Sequence, residues 1–215
     1  MIPDARGHGR SGAPETGYSR EDRIGDILNL INHLGAGRVH LVGHSMGGAD
    51  AVGFALDYPD RLYTLTLAGP VVAGWIPPRK YHDVSDLAKD KGIEVARADY
   101  IDAILSRYKN NADDIRSQLA AMITAFSGKP WTDPMKGKYP IRDDMARIEK
   151  IKIPVGIVIG KRDIFFRPLA EILADKIGRA RLEIIGGTGH MVNMENPDRF
   201  NRALETILGC SPSLG

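Results

Sequence analysis

An α/β fold built on a mostly parallel sheet, with flanking helices and one helical insertion, is what this sequence predicts. Three observations carry that expectation. Short β-rich runs alternate with helical patterns over residues 19–70. The same alternation resumes over 154–208. The stretch between them, 71–148, holds helical periodicity and no convincing strand. Strand, helix and strand in succession argue for parallel βαβ units. The chain has 215 residues, 43% of them apolar and 26% charged, enough for a sizeable core.

Each element has a local reason. Residues 19–34 read as a helix: Ser19 can cap it, Glu21 and Asp22 suit its first turn, and Ile24, Ile27, Leu28, Ile31 and Leu34 form one stripe ended by Gly35. VHLVGH (39–44) is a short strand, and residues 46–58 are small and apolar enough for a buried helix stopped before Pro59. LYTLTLAGP (62–70) is a second strand with a Gly-Pro stop. Helical spacing follows at 93–109 (Ile93, Ala96, Tyr100, Ile104, Tyr108) and 115–126 (Ile115, Leu119, Met122, Phe126), then a loop, GKPWTDPMKGKYP (128–140). PVGIVIG (154–160) is the third strand, 168–177 a helix closed by Gly178, RLEII (181–185) the fourth strand, and Pro197–Leu208 a last helix capped by Asn196. Residues 1–70 and 149–215 are therefore expected to form the sheet domain, and 71–148 an inserted lid, since so long a connection in a compact domain is usually functional.

Composition narrows the classes of function. The net charge is +2, with Lys and Arg spread along the chain, so neither a nucleic-acid stripe nor a polybasic membrane patch is expected. The single cysteine, Cys210, allows no intrachain disulfide and suits a reducing compartment. No apolar run approaches the ~18 residues of a membrane span, and the N-terminus lacks a signal pattern; the expected location is cytoplasmic.

Gly7, Gly9 and Gly12 spell G-x-G-x-x-G in MIPDARGHGRSG, the pattern of a dinucleotide-binding turn. That turn needs a full strand before it and a helix opening on it. Here Pro3 interrupts the few preceding residues and the next helix begins only near Ser19, so a tight loop is the expectation.

Chemistry concentrates elsewhere. Gly43-His44-Ser45-Met46-Gly47 is G-x-S-x-G, placed where a strand turns into a helix, and both flanking elements are predicted independently. Such a turn holds the serine in a strained conformation with its hydroxyl above the sheet. A serine nucleophile needs a base, and the base an orienting acid. Of six histidines, His190 lies in the Gly-rich loop GGTGHMVNMENP between the last strand and helix; the others sit on a helix, a strand, the opening loop, beside the serine, or in the insertion. Asp163 lies in GKRD just past the third strand, where open α/β sheets place ligands. Ser45, Asp163 and His190 occur in the order Ser, Asp, His, each in a loop after a strand.

PDARGHGRSG (3–12), GHSMGG (43–48), GKRD (160–163) and GHMVNMENP (189–197) together resemble the α/β-hydrolase superfamily in its lid-bearing, esterase- and lipase-like branch, over essentially the whole chain. The resemblance implies Ser45 as nucleophile, His190 as general base, Asp163 as its orienting acid and the Met46 backbone N–H as one oxyanion-hole donor. It implies acyl transfer through an acyl-enzyme, with no metal or organic cofactor, and it makes 71–148 the variable cap. Ester hydrolysis is the leading expectation. Carbon–carbon hydrolysis, lactone opening, amide cleavage and perhydrolysis use the same three residues; a dehalogenase would carry Asp at position 45.

The sequence departs from the family at its start. Family members carry three strands before the PD-x-RGHGRS segment, and the loop after the third supplies a second oxyanion donor, whose loss typically costs about 2.7–4 kcal/mol of transition-state stabilisation. Without that strand, Val39–His44 is expected to form an apolar sheet edge open to self-association, with Met1–Pro3 a stub. Three accounts are open: a longer enzyme of which this is a part, which is preferred; a partner covering the edge; or a noncatalytic remnant that binds. A small-molecule, apolar, ester-like substrate is expected, with His44, Trp75, Trp131 and Met191 as candidate contacts.

Overall fold

The computed structural model describes residues 1–77, 82–108, 113–140 and 142–209, so Cys210 and Lys109 lie outside the described residues. Within these, four strands form one wholly parallel sheet in the order β1 (Val39–His44), β2 (Leu62–Ala68), β3 (Val155–Gly160) and β4 (Ala180–Ile185). All six residues of β3 are buried, and β2 is buried except at Tyr63, as expected of parallel strands covered on both faces. Along β3 the side chains alternate between two cores. Val155, Ile157 and Ile159 join Ile24 and Ile31 of α1 (Arg20–His33), Phe54 of α2 (Met46–Asp57) and Leu169 and Leu173 of α7 (Arg167–Lys176). Val158, with Ala68 and Ile185, faces Val192 of α8 (Val192–Glu195) and Phe200, Ala203 and Ile207 of α9 (Pro197–Leu208). The burial pattern of β1 leaves His40 and Val42 exposed, and among the described residues no strand pairs with its outer side. No helix among the described residues is long and apolar enough to cross a membrane.

The chain divides into two compact units, Ile24–Arg79 with Ile141–Gly215, which holds the sheet, and Met1–Arg23 with Lys80–Pro140. The opening residues, expected with the sheet, therefore cluster with the inserted helices. Their contacts give the reason. The Gly7 carbonyl accepts from Ser127 N–H at 3.0 Å, His8 stacks 4.4 Å from Phe126, and the Tyr139 hydroxyl accepts the Gly17 and Tyr18 amides while donating to buried Asp133 at 2.7 Å. Gly7 and Gly9 both adopt positive φ, and Gly7 N–H donates to Gly12 C=O at 2.8 Å, so the glycine triplet closes a tight loop. Met1–Pro3 form no strand.

The helical unit contains α3 (Ser85–Lys91), α4 (Ile93–Leu105), α5 (Asp113–Thr124) and α6 (Lys129–Thr132), packed around Val84, Ala88 and Ala96. The sequence reading missed α3, α6, α8 and a 3₁₀ segment at Met145–Lys150. Each is two turns or fewer, too short for a periodic stripe. Asp83 starts α3 by accepting the Ser85 amide at 2.9 Å, a local signal available in the sequence.

Candidate active site

Parallel register carries the C-terminal ends of β1, β3 and β4 to one edge of the sheet: His44 pairs with Ala68, Ala68 with Val158, and Gly160 with Ile185. Ser45, Asp163 and His190 follow those three strand ends, and the structure brings all three together. Ser45 has φ 50 and ψ −116, and it is the sole non-glycine with positive φ among the described residues. Holding a serine there costs about 1–3 kcal/mol unless its surroundings compel it. Three backbone hydrogen bonds do so: Ser45 N–H donates to Ala68 C=O at 3.0 Å, while Ser45 C=O accepts Gly48 N–H at 2.9 Å and Val71 N–H at 3.2 Å. Gly43 permits the sharp return of the helix, since a Cβ there would stand 2.3 Å from the Gly47 carbonyl oxygen.

His190 Nδ1 lies 2.7 Å from Asp163 Oδ2, and its Nε2 lies 2.9 Å from Ser45 Oγ. A carboxylate can only accept, so Nδ1 carries the proton and Nε2 is left as the acceptor for the Ser45 hydroxyl. Asp163 is 4% exposed; its other oxygen accepts Phe166 N–H at 3.2 Å, which fixes the carboxylate plane. The Phe166 ring packs 4.8 Å from the His190 imidazole. Sequence reasoning missed Phe166, the residue just before α7, although an Asp at the head of such a turn is a recognisable signal.

His44 projects toward the same group. Its Nε2–H donates to the His190 carbonyl at 3.0 Å, and the two rings are 5.0 Å apart. Burial, reinforced by the neighbouring His190, lowers the His44 pKa to about 4, so this ring is neutral near pH 7. Met46 opens α2, and the first amides of a helix have no intrahelical acceptor. Met191 precedes α8, adjoining His190. Trp75 packs in the sheet unit 6.1 Å from Phe166, whereas Trp131 packs in the helical unit against Tyr100 and Phe126. The arrangement can move a proton from a hydroxyl to an imidazole whose far side is held by a buried carboxylate.

Comparison with known proteins identifies the family. A family model described as the alpha/beta hydrolase family matches residues 1–203. A 2-hydroxy-6-oxononadienedioate/2-hydroxy-6-oxononatrienedioate hydrolase of Paraburkholderia phymatum is 30% identical over 227 residues, covering 97% of this chain and 76% of the relative. Among solved structures, a thermophilic esterase from Thermogutta terrifontis superposes with a TM-score of 0.81 at 25% identity, covering 97% of this chain and 79% of the esterase. An enol-lactonase from Burkholderia xenovorans gives the same TM-score and identity over 96% of this chain and 79% of the lactonase. With its parallel sheet, its G-x-S-x-G turn and a family match over nearly its whole length, the chain belongs to the alpha/beta hydrolase family.

Proposed function

We propose that the protein is a serine hydrolase that cleaves an ester or similarly activated carbonyl compound through Ser45, His190 and Asp163. The observation that carries this reading is the unbroken Asp163–His190–Ser45 hydrogen-bond chain ending on a strained serine. Ser45 Oγ attacks the carbonyl carbon while His190 Nε2 takes its proton; Asp163 stabilises the imidazolium that forms. The carbonyl π-electrons collect on oxygen, opposite the Met46 N–H at the positive end of α2. When the intermediate collapses, His190 returns the proton to the leaving group, and water repeats the sequence on the acyl-enzyme. Exposed Met46 and Ile164, each next to a triad residue, and Met191 beside His190 favour an apolar acyl group of small or medium size.

A fluorophosphonate probe is expected to label the wild-type protein and not Ser45→Ala. A folded wild type without Ser45-dependent labelling would sink the proposal in favour of a noncatalytic binding protein. A second reading, hydrolysis of a carbon–carbon bond in a hydroxy-oxo-dienedioate, is favoured by the relative named for that substrate. Turnover of simple esters of graded acyl length, an enol lactone and such a dienedioate separates the readings, and the leading one expects the esters to turn over fastest.

A further inference from the structure

Glu195 takes no part in the proposed proton transfer, yet its side chain is only 3% exposed. A buried carboxylate is costly unless its oxygens are used, and both oxygens of Glu195 are. Oε1 accepts Gly189 N–H at 2.9 Å, and Oε2 meets the Arg162 guanidinium at 3.3 Å. The first contact grips the residue before the base, the second the residue before the acid. The backbone prepares this arrangement. Glu195 N–H donates to Met191 C=O at 2.8 Å, turning α8 back so that the carboxylate returns to the loop from which the helix emerged. Arg162 N–H donates to Thr188 C=O at 2.8 Å and Lys161 N–H to Ile185 C=O at 2.9 Å, lacing the two loops below it. Gly160 completes the seam, since a Cβ there would lie 2.1 Å from the Gly189 carbonyl oxygen.

We infer that Glu195 is a positioning residue: its carboxylate braces the His190 loop against the Asp163 loop and so sets the 2.7 Å contact between base and acid. The Arg162 half of the brace is largely solvent-exposed and weak. The Gly189 half is a charge-assisted hydrogen bond to backbone and carries most of the restraint. The inference rests on the proposed role of the three residues, so its test has one readout that requires no turnover.

That readout is the His190 Nδ1–H proton resonance of the full chain, assigned by its loss in Asp163→Asn. Glu195→Ala is expected to shift or broaden this signal and to slow fluorophosphonate labelling of Ser45 by about ten- to a hundredfold. On a turned-over ester, kcat falls while KM stays within about twofold. Glu195→Gln keeps an acceptor for Gly189 N–H, so it should retain the resonance and label within about threefold of wild type. A folded Glu195→Ala with unchanged resonance and labelling overturns the inference. If Glu195→Ala does not fold, Glu195→Asp decides: it keeps the charge but cannot reach both partners, and an unchanged resonance overturns the brace. A wild type that shows the resonance but is never labelled at Ser45 removes the hydrolase proposal and leaves the brace to be judged by the resonance alone.

Discussion

Between His44 and His190 the imidazoles lie 5.0 Å apart, and catalysis by the proposed route needs charge on only one of them. Burial, with His190 as the second cause, keeps His44 neutral with a pKa of about 4. The unfolded chain carries a histidine of pKa near 6.5 at this position. The folded value is depressed for a group that is cationic when protonated, so below pH 6.5 the unfolded state binds more protons than the folded one. Stability is therefore lost as pH falls from about 6.5 to 4, by up to about 3 kcal/mol from this residue. His44→Gln should remove that loss, so urea midpoints of wild type and variant converge or cross as pH is lowered. Parallel midpoints from pH 7 to 4 would show that His44 does not bear the penalty. At this scale the sequence was most readable where chain order constrains chemistry: Ser45, Asp163 and His190 each follow a strand, and one parallel sheet brings all such ends together. It was least readable where a partner is remote in sequence. Nothing near position 44 reveals that its ring meets the carbonyl of residue 190, and nothing near Phe166 reveals its stacking on the same imidazole.

Among the elements, β1 and α2 are joined with no room to spare. A Cβ on Gly43 would approach the Gly47 carbonyl oxygen to 2.3 Å and the Ala51 Cβ to 2.8 Å, contacts made by backbone and a buried helix that cannot swing aside. Gly43→Ala is expected to destabilise the fold by about 1–3 kcal/mol, read by chemical denaturation, and to abolish Ser45 labelling even where the variant remains folded. Wild-type labelling in Gly43→Ala would mean that the turn tolerates a wider strand–helix spacing than its backbone contacts imply. The long elements were legible because burial marks them: β3, covered on both faces, is an unbroken run of apolar residues and glycine, and a stripe from Ile24 to Ile31 seats α1. The short helices escaped because their ends depend on single caps, such as Asp83, or on positive-φ glycines such as Gly128. The opening loop was recognised as a loop from Pro3 and its glycines, but its attachment to the inserted helices runs through Ser127, Phe126 and Tyr139, which local pattern does not disclose.

For the whole molecule, the order of the strands in space is their order in the chain, yet the intervals between them are unequal. Residues 45–61 link β1 to β2 and 161–179 link β3 to β4, whereas β2 and β3 are separated by residues 69–154. Loop closure costs rise with the logarithm of length, so a roughly fivefold longer connection adds about 1.4 kcal/mol to bringing the central pair together. The sheet should therefore assemble as two halves whose shared seam forms last, through an intermediate of the kind that becomes populated in chains longer than about 150 residues. Pulsed hydrogen exchange during refolding reads it directly. The Ser45 amide, bonded to Ala68, and the Lys161 amide, bonded to Ile185, should gain protection before the Leu65 and Gly69 amides, which bond Pro154 and Val158 across the seam. Simultaneous protection of all four would mean that the inserted helices form first and shorten the span. On the expected order, Ser45 matures on one half and the Asp163–His190 pair on the other, and the proposed hydrogen-bond chain closes only in the last event of folding.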